Sequence, residues 1–195
     1  MSARIVIVSG PPGAGKSSIS RKLAETSAYE RAVHIHTDDF YQYIRKGYVA
    51  PWLPECGNQN AVMIESAAAS AEKWADGGYE AIVDGVIGPW YIEPWINIAK
   101  KGIDVRYINL RPGQQMTIER IINRKWQNAN YENAEDFRQD SDYFPLTYEV
   151  VKDLWDSLAD LGEYEPHVVD TTNQTVEESV AVIRKMLAED AFRIF

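Results

Sequence analysis

Eight consecutive residues carry the strongest chemical signal in the chain. Gly10-Pro11-Pro12-Gly13-Ala14-Gly15-Lys16-Ser17 satisfies G-x-x-x-x-G-K-[ST] at every fixed position, between an apolar run and a helical pattern. Glycines at 10, 13 and 15 permit backbone conformations that a Cβ would forbid, so consecutive N–H groups can turn inward around phosphate oxygens. A helix opening near Lys16 adds the partial positive charge of its N-terminus. Lys16 has the reach to meet β and γ phosphates as a point charge, the Ser17 hydroxyl suits a bridging Mg²⁺, and Ser18 joins the phosphate-binding set. The implied ligand is a nucleoside triphosphate.

Acidic residues at strand ends supply the second signal, because ligands of an open α/β sheet lie beyond the carboxyl ends of its strands. His34-Ile35-His36-Thr37-Asp38-Asp39-Phe40-Tyr41 ends one strand with paired carboxylates, and Ile82-Val83-Asp84-Gly85 ends another with one. Phosphoryl transfer to a hydroxyl needs a carboxylate to accept the proton and another to hold Mg²⁺, directly or through water. Asp38 is the candidate base and Asp39 its alternate; Ser17, Asp38 and Asp84 are the candidate metal residues. A helix cap would account for Asp39 as well, and a turn for Asp84. His34 and His36 alternate along a strand and so share a face. With no Cys or acidic partner at metal spacing, they read as packing and hydrogen-bonding residues.

Charge that builds up at a transferring γ-phosphoryl group is usually met by arginines. Arg120 and Arg124, four residues apart, share a helix face, with Arg111-Pro112 upstream and Lys125 and Arg138 nearby. Arg120 and Arg124 are candidate catalytic residues and Arg111 a candidate nucleotide contact. The competing reading is a solvated face partnered by Glu119 and Glu135, and spacing does not say which arginine reaches the phosphates. Asp170-Thr171-Thr172-Asn173 forms a polar loop where a base could rest against Thr172, or where an ordinary turn precedes a helix capped by Thr175. Trp52, Trp90, Tyr91 and Trp95 flank the second and third strand ends. Aromatic walls suit a small organic substrate, and core packing explains these four residues equally well. Trp126 and Trp155 fall on apolar helical stripes and read as core.

The elements that must position these groups alternate along the chain. Strands are predicted at Arg4–Ser9, Ala32–Thr37, Glu80–Asp84, Asp104–Leu110 and Pro166–Asp170. Helices are predicted at Lys16–Ala28, Ala61–Ala75 and Gly113–Trp126, then along the stripes Leu146 to Leu161 and Val176 to Leu187. Thr175 and Glu178 spell a capping box for the last. This pattern implies an α/β fold of three layers around a mainly parallel sheet. Two segments resist assignment, Tyr41–Asn60 and Asn128–Tyr143, and long irregular connections of this kind are candidate lids or binding loops.

The 195 residues favour one domain, 1–195, with 45% hydrophobic and 25% charged residues and no biased tract, so disorder and coiled coil are poor readings. A formal charge of −9 argues against bulk attraction to nucleic acid or anionic membrane. The lone Cys56 can form neither an internal disulfide nor a zinc quartet, and no stretch resembles a targeting or membrane-spanning segment, so a cytoplasmic protein is expected. Composition says nothing of the oligomeric state.

Taken together, the loop, the Asp38-Asp39-Phe40-Tyr41 strand end, Asp84 and the arginine-bearing segment resemble the small P-loop kinases. Within them the chain looks most like the group containing chloramphenicol phosphotransferase, zeta toxin and related small-molecule kinases. His-Thr-Asp-Asp-Phe-Tyr is also similar to the corresponding stretch of uridine and nicotinamide riboside kinases. The resemblance implies a five-stranded parallel sheet in the order 2-3-1-4-5, a helical lid within about 111–143, and an acceptor region at 41–60. It places the base at Asp38 and the lid arginine at Arg120 or Arg124. Tyr131–Asp140 matches nothing in the family pattern, and Tyr41–Asn60 departs from it, which leaves the substrate open. The expected activity is transfer of phosphate from ATP, with Mg²⁺, to a hydroxyl of a small molecule. Rival readings are a toxin-type kinase of a nucleotide sugar or polynucleotide end, a non-catalytic nucleotide-binding regulator, and a GTP-driven switch. The switch lacks its N-K-x-D signature, since Asn173-Gln174-Thr175-Val176 has neither the Lys nor the Asp.

Overall fold

The computed structural model describes residues 4–126 and 148–195, without the side chains of 122–126 and 148. The polar stretch 128–143 with Glu135 and Arg138, most of the expected lid, and the side chains of Arg124, Lys125 and Trp126 lie outside the described residues. In chain order the elements are β1 (Arg4–Ser9), α1 (Lys16–Glu25), β2 (Ala32–His36), α2 (Asp38–Tyr41), α3 (Gly57–Asp76) and β3 (Glu80–Asp84). They are followed by α4 (Glu93–Ala99), β4 (Asp104–Leu110), α5 (Gln114–Trp126), α6 (Tyr148–Ser157), β5 (Val168–Val169) and α7 (Val176–Ala188).

The strands form one parallel sheet in the order β2-β3-β1-β4-β5, as expected. Successive side chains of a strand point to opposite faces, so an uninterrupted apolar run requires cover on both. In β1, Ile5 and Ile7 pack with Ala81, Val83, Tyr107 and Trp95 on one side. Val6 and Val8 pack with Ile82, Ile108, Leu23 and Ile183 on the other. Helices α3 and α4 therefore cover the first face, and α1 and α7 the second. Register then does the functional positioning: Val8 lies opposite Asp84, Asp84 opposite His36, and Ser9 opposite Asn109. The carboxyl ends of four strands, β1 to β4, thus meet where the chain leaves β1 into residues 10–15.

Differences from the sequence reading have local causes. β5 shrinks to two residues because Pro166 sits in a 3-10 helix, Gly162–His167, and cannot donate to a ladder. Helix α4 was not foreseen; its seven residues are too few to show a period, yet they bury Trp95 completely. Trp95 is thereby core. Helix α3 begins at Gly57, four residues before the apolar pattern does, and so claims the end of the irregular segment. The α6 stripe leaves the helix after Ser157, although Leu158 and Leu161 remain buried. The capping box of α7 is present, with Thr175 Oγ1 accepting from the Glu178 N–H and the Glu178 carboxylate from the Thr175 N–H. Among the described residues no helix is long and apolar enough to cross a membrane.

Candidate active site

The loop after β1 is held in a shape that only its glycines permit. Gly10, Gly13 and Gly15 have φ of 144°, 83° and 91°. At Gly13 the constraint is double, because an added Cβ would also lie 2.5 Å from the Thr117 carbonyl oxygen and 2.9 Å from Ile121 Cγ1 on α5. Gly13→Ala is therefore expected to lower folding stability by about 1–3 kcal/mol, readable in a denaturant titration, and to weaken nucleotide binding by pushing α5 away. Ala14 N donates to the Pro11 carbonyl at 3.1 Å, and Lys16 Nζ donates to the same oxygen at 3.0 Å. The lysine thus folds back over the loop with its ammonium at the loop's mouth.

Beneath the loop lies Asp84, fully buried at the end of β3. Its Oδ2 accepts from Ser17 Oγ at 2.7 Å, and its Oδ1 accepts from His34 Nε2 at 2.6 Å and His36 Nδ1 at 3.1 Å. The two histidines do share a face, and the acidic partner missing from their own stretch of sequence is supplied by the neighbouring strand. Gly85 follows because a Cβ there would stand 2.1 Å from Thr37 Oγ1, leaving no room for a side chain at the turn. Burial alone would raise the Asp84 carboxyl. Hydrogen bonds from His34, His36 and Ser17 outweigh it and hold the group well below the usual carboxylate range.

The same contact acts on His36 in reverse. Its hydrogen bond to Asp84 raises the imidazole above its ordinary 6.5, burial opposes this, and the charges of Asp84, Asp38 and Asp39 add to the rise. A histidine whose folded pKa exceeds its unfolded value contributes stability that is complete below the unfolded pKa and lost as pH climbs through the folded one. For protein free of nucleotide and metal, melting temperature is expected to fall as pH rises above about 6.5. His36→Gln should flatten that slope, and thermal melts across the pH series read it directly.

Asp38 opens α2 with a side chain 66% exposed, 3.6 Å from His36 Nε2. It lines the cavity above the loop, whereas the Asp39 carboxylate accepts from Gln42 Nε2 at 3.2 Å. Arg120, on α5, also lines the cavity, and its guanidinium donates to the carbonyls of Thr171 and Thr172 at 2.9 and 3.3 Å. Arg111 faces elsewhere: it donates to the carbonyls of Leu158 and Ala159 and pairs with Glu165. Thr172 Oγ1 accepts from Gly113 N at 2.8 Å and bonds to Asp170, tying the loop after β5 to the start of α5. Arg111 and Thr172 are thus placed outside the cavity lining.

One cavity of about 1070 Å³ collects Lys16, Ser17, Asp38 and Arg120, while Asp84 lies outside its lining and meets it through the hydrogen bond from Ser17. Pro12, Gly13, Gly15, Lys16, Ser17 and Ser18 line its loop end, while Gly10, Pro11 and Ala14 are not part of the lining. Trp52, Trp90 and Tyr91 line it, so three of the four aromatic residues singled out in the sequence face open space. Tyr41, Tyr48 and Asn60, from the segment 41–60 expected as the acceptor region, line it as well, and so does Met63 of α3, which lies beyond that segment. Trp155, expected in the core, is half-buried and donates from Nε1 to the Pro112 carbonyl at 2.9 Å.

Ser17 Oγ and the ionised Asp84 carboxylate present adjacent oxygens directly under the loop, a donor set that fits a hard cation such as Mg²⁺. Among the described residues no group of three or more His, Cys, Asp or Glu side chains could hold a metal by itself. A cation at this site would need further oxygens from the ligand.

A family model described as AAA domain matches residues 6–140, which takes in the loop, both acidic strand ends and α5. The chain belongs to this AAA-domain family. No curated protein matches the sequence significantly. Solved structures similar to this AAA-domain protein include the Mycobacterium tuberculosis APS kinase CysC in complex with AMPPNP and APS. That match has a TM-score of 0.65 at 16% identity, covering 96% of this chain and 98% of that one. A sugar kinase from Janibacter sp. matches with TM-score 0.61 at 16% identity, covering 97% and 95%. The Deinococcus radiodurans tunicamycin resistance protein matches with TM-score 0.62 at 16% identity, covering 97% and 96%. At these identities the likeness is one of fold, and the fold is that of P-loop NTPases, shared with kinases.

Proposed function

We propose that this AAA-domain protein is a kinase that transfers the γ-phosphoryl group of ATP to a hydroxyl of a small molecule. The observation that carries the reading is that one continuous cavity joins the phosphate end of the loop to Asp38 and to an aromatic wall beyond it. Loop amides and Lys16 would hold the β and γ phosphates and offset charge as the group transfers. Asp38 would orient the acceptor hydroxyl and take its proton as the new bond from oxygen to phosphorus forms and the bond to the ADP oxygen breaks. Arg120 stands at the same cavity, free to offset charge on the γ-phosphoryl oxygens once it turns from the carbonyls it now caps. Mg²⁺, held through Ser17 and Asp84, would neutralise phosphate charge when bound with the nucleotide. His34 and His36 would keep the Asp84 carboxylate ionised and aimed at the loop.

Purified protein with Mg²⁺ and a non-hydrolysable ATP analogue should give a heat of association in calorimetry, and ATP with a panel of hydroxyl compounds should give acceptor-dependent ADP. Folded protein that neither binds the analogue nor consumes ATP with any acceptor would overturn the reading.

A further inference from the structure

The cavity is chemically divided. Its charged described lining residues are Lys16, His36, Asp38, Arg120 and Asp153, which come from α1, the end of β2, the start of α2, α5 and α6. The wall built from 41–63 and 86–91 contributes no charged side chain to the described lining. Instead it presents rings: Tyr41 and Tyr48 meet edge to face at 6.4 Å and 80°, and Trp90 and Tyr91 at 6.3 Å and 63°. Tyr48 and Trp90 remain about half exposed, at 51% and 52%, so broad apolar surface is left uncovered at the cavity.

Polar groups at the base of this wall are spent on holding it in place. Tyr41 Oη donates to Asn60 Oδ1 at 2.8 Å, and Asn60 Nδ2 donates to the Pro51 carbonyl at 2.8 Å and to Cys56 Sγ at 3.0 Å. Gln59 clasps Val49, donating to its carbonyl at 2.6 Å and accepting from its N–H at 2.9 Å. The irregular chain at 48–53 is therefore pinned to α3, and the wall is preformed. A ligand resting there meets aromatic rings, with the polar groups of Tyr41, Gln59 and Asn60 already engaged. An anionic ligand would lose water, gain no counter-charge from that wall, and lie near the Asp38 carboxylate.

We propose that the acceptor is an uncharged molecule bearing a flat ring system, seated against Trp52 and Trp90 with its hydroxyl turned to Asp38. This rests on the kinase reading and narrows its substrate class; Trp52 and Trp90 become the residues that determine specificity. The test uses protein loaded with Mg²⁺ and a non-hydrolysable ATP analogue, titrated calorimetrically with two matched pairs. One pair is a nucleoside and its 5′-monophosphate; the other is an aryl glycoside and the methyl glycoside of the same sugar.

The neutral, ring-bearing member of each pair should bind at least about tenfold more tightly than its partner. Trp90→Ala and Trp52→Ala should each erase most of that preference while leaving binding of the ATP analogue unchanged. Equal or tighter binding of the monophosphate, equal binding of the two glycosides, or no binding of any of the four would overturn the proposal. So would an undiminished preference in both variants. The wild-type comparison stands even where a variant does not fold. Running the same compounds with ATP separates the two readings: transfer to an anionic acceptor keeps the kinase and removes this inference. Selective binding with no ADP formed from any compound keeps the wall's selectivity and removes the kinase.

Discussion

Lys16→Ala is expected to lower phosphoryl transfer by about 10³-fold while leaving the fold intact, the largest loss that any single residue of the loop should show. The argument starts from where the lysine sits. Its Nζ rests 3.0 Å from the Pro11 carbonyl, at the mouth of a loop whose amides would already face the phosphates. A fixed positive charge in that position needs no reorganisation as negative charge shifts toward the γ-phosphoryl oxygens, so its removal is felt in the transition state more than in nucleotide binding. Stability should change little, because the Pro11 carbonyl that the ammonium meets also accepts from Ala14 N, and the loop's glycines and the buried Ala14 hold its shape. Single-turnover transfer and a thermal melt on the same preparation separate the two effects. A variant that melts like wild type and still turns over at the wild-type rate would remove Lys16 from the mechanism.

What the sequence discloses here, and what it withholds, follows from the range over which each feature is encoded. The strand β1 and the loop are local: an apolar run buried on both faces and a spacing of glycines, lysine and serine can be read within 14 residues, Arg4 to Ser17. The Asp84 cluster is not. His36 and Asp84 are separated by 48 positions, and only the pairing of β2 with β3 sets both histidines on one carboxylate oxygen. Arg111 stands just past β4, where the sequence suggests a nucleotide contact, and its guanidinium meets the Leu158 and Ala159 carbonyls and Glu165, partners about 50 residues away that no local pattern announces. The aromatic wall was half legible: tryptophans stand out by type, but the tyrosines and Asn60 gain meaning only once α3 starts early enough to pin the segment before it.

Asp38→Asn is the sharpest test of the acceptor side. The exchange keeps size and hydrogen-bonding capacity and removes only the ability to take a proton, so kcat should fall by about 10²–10⁴-fold with little change in affinity for ATP. The neighbouring exchange supplies the control. Asp39 is engaged with Gln42 and lies outside the cavity lining, and Asp39→Asn should leave turnover within about twofold of wild type, as expected for an exposed site. Two features favour Asp38 over its neighbour. It stands on the same cavity as the loop, and it borders His36, whose imidazole touches Asp84 on its other side. The two carboxylates are thereby kept apart by a ring that leans toward its protonated form. In the proposed mechanism one would hold charge under the phosphates while the other faced the acceptor, a division of labour that two bare acids in contact could not sustain. If the losses were reversed, with Asp39→Asn inactive and Asp38→Asn unimpaired, the acceptor would have to approach from the outer side of α2, and the aromatic wall would lose its role.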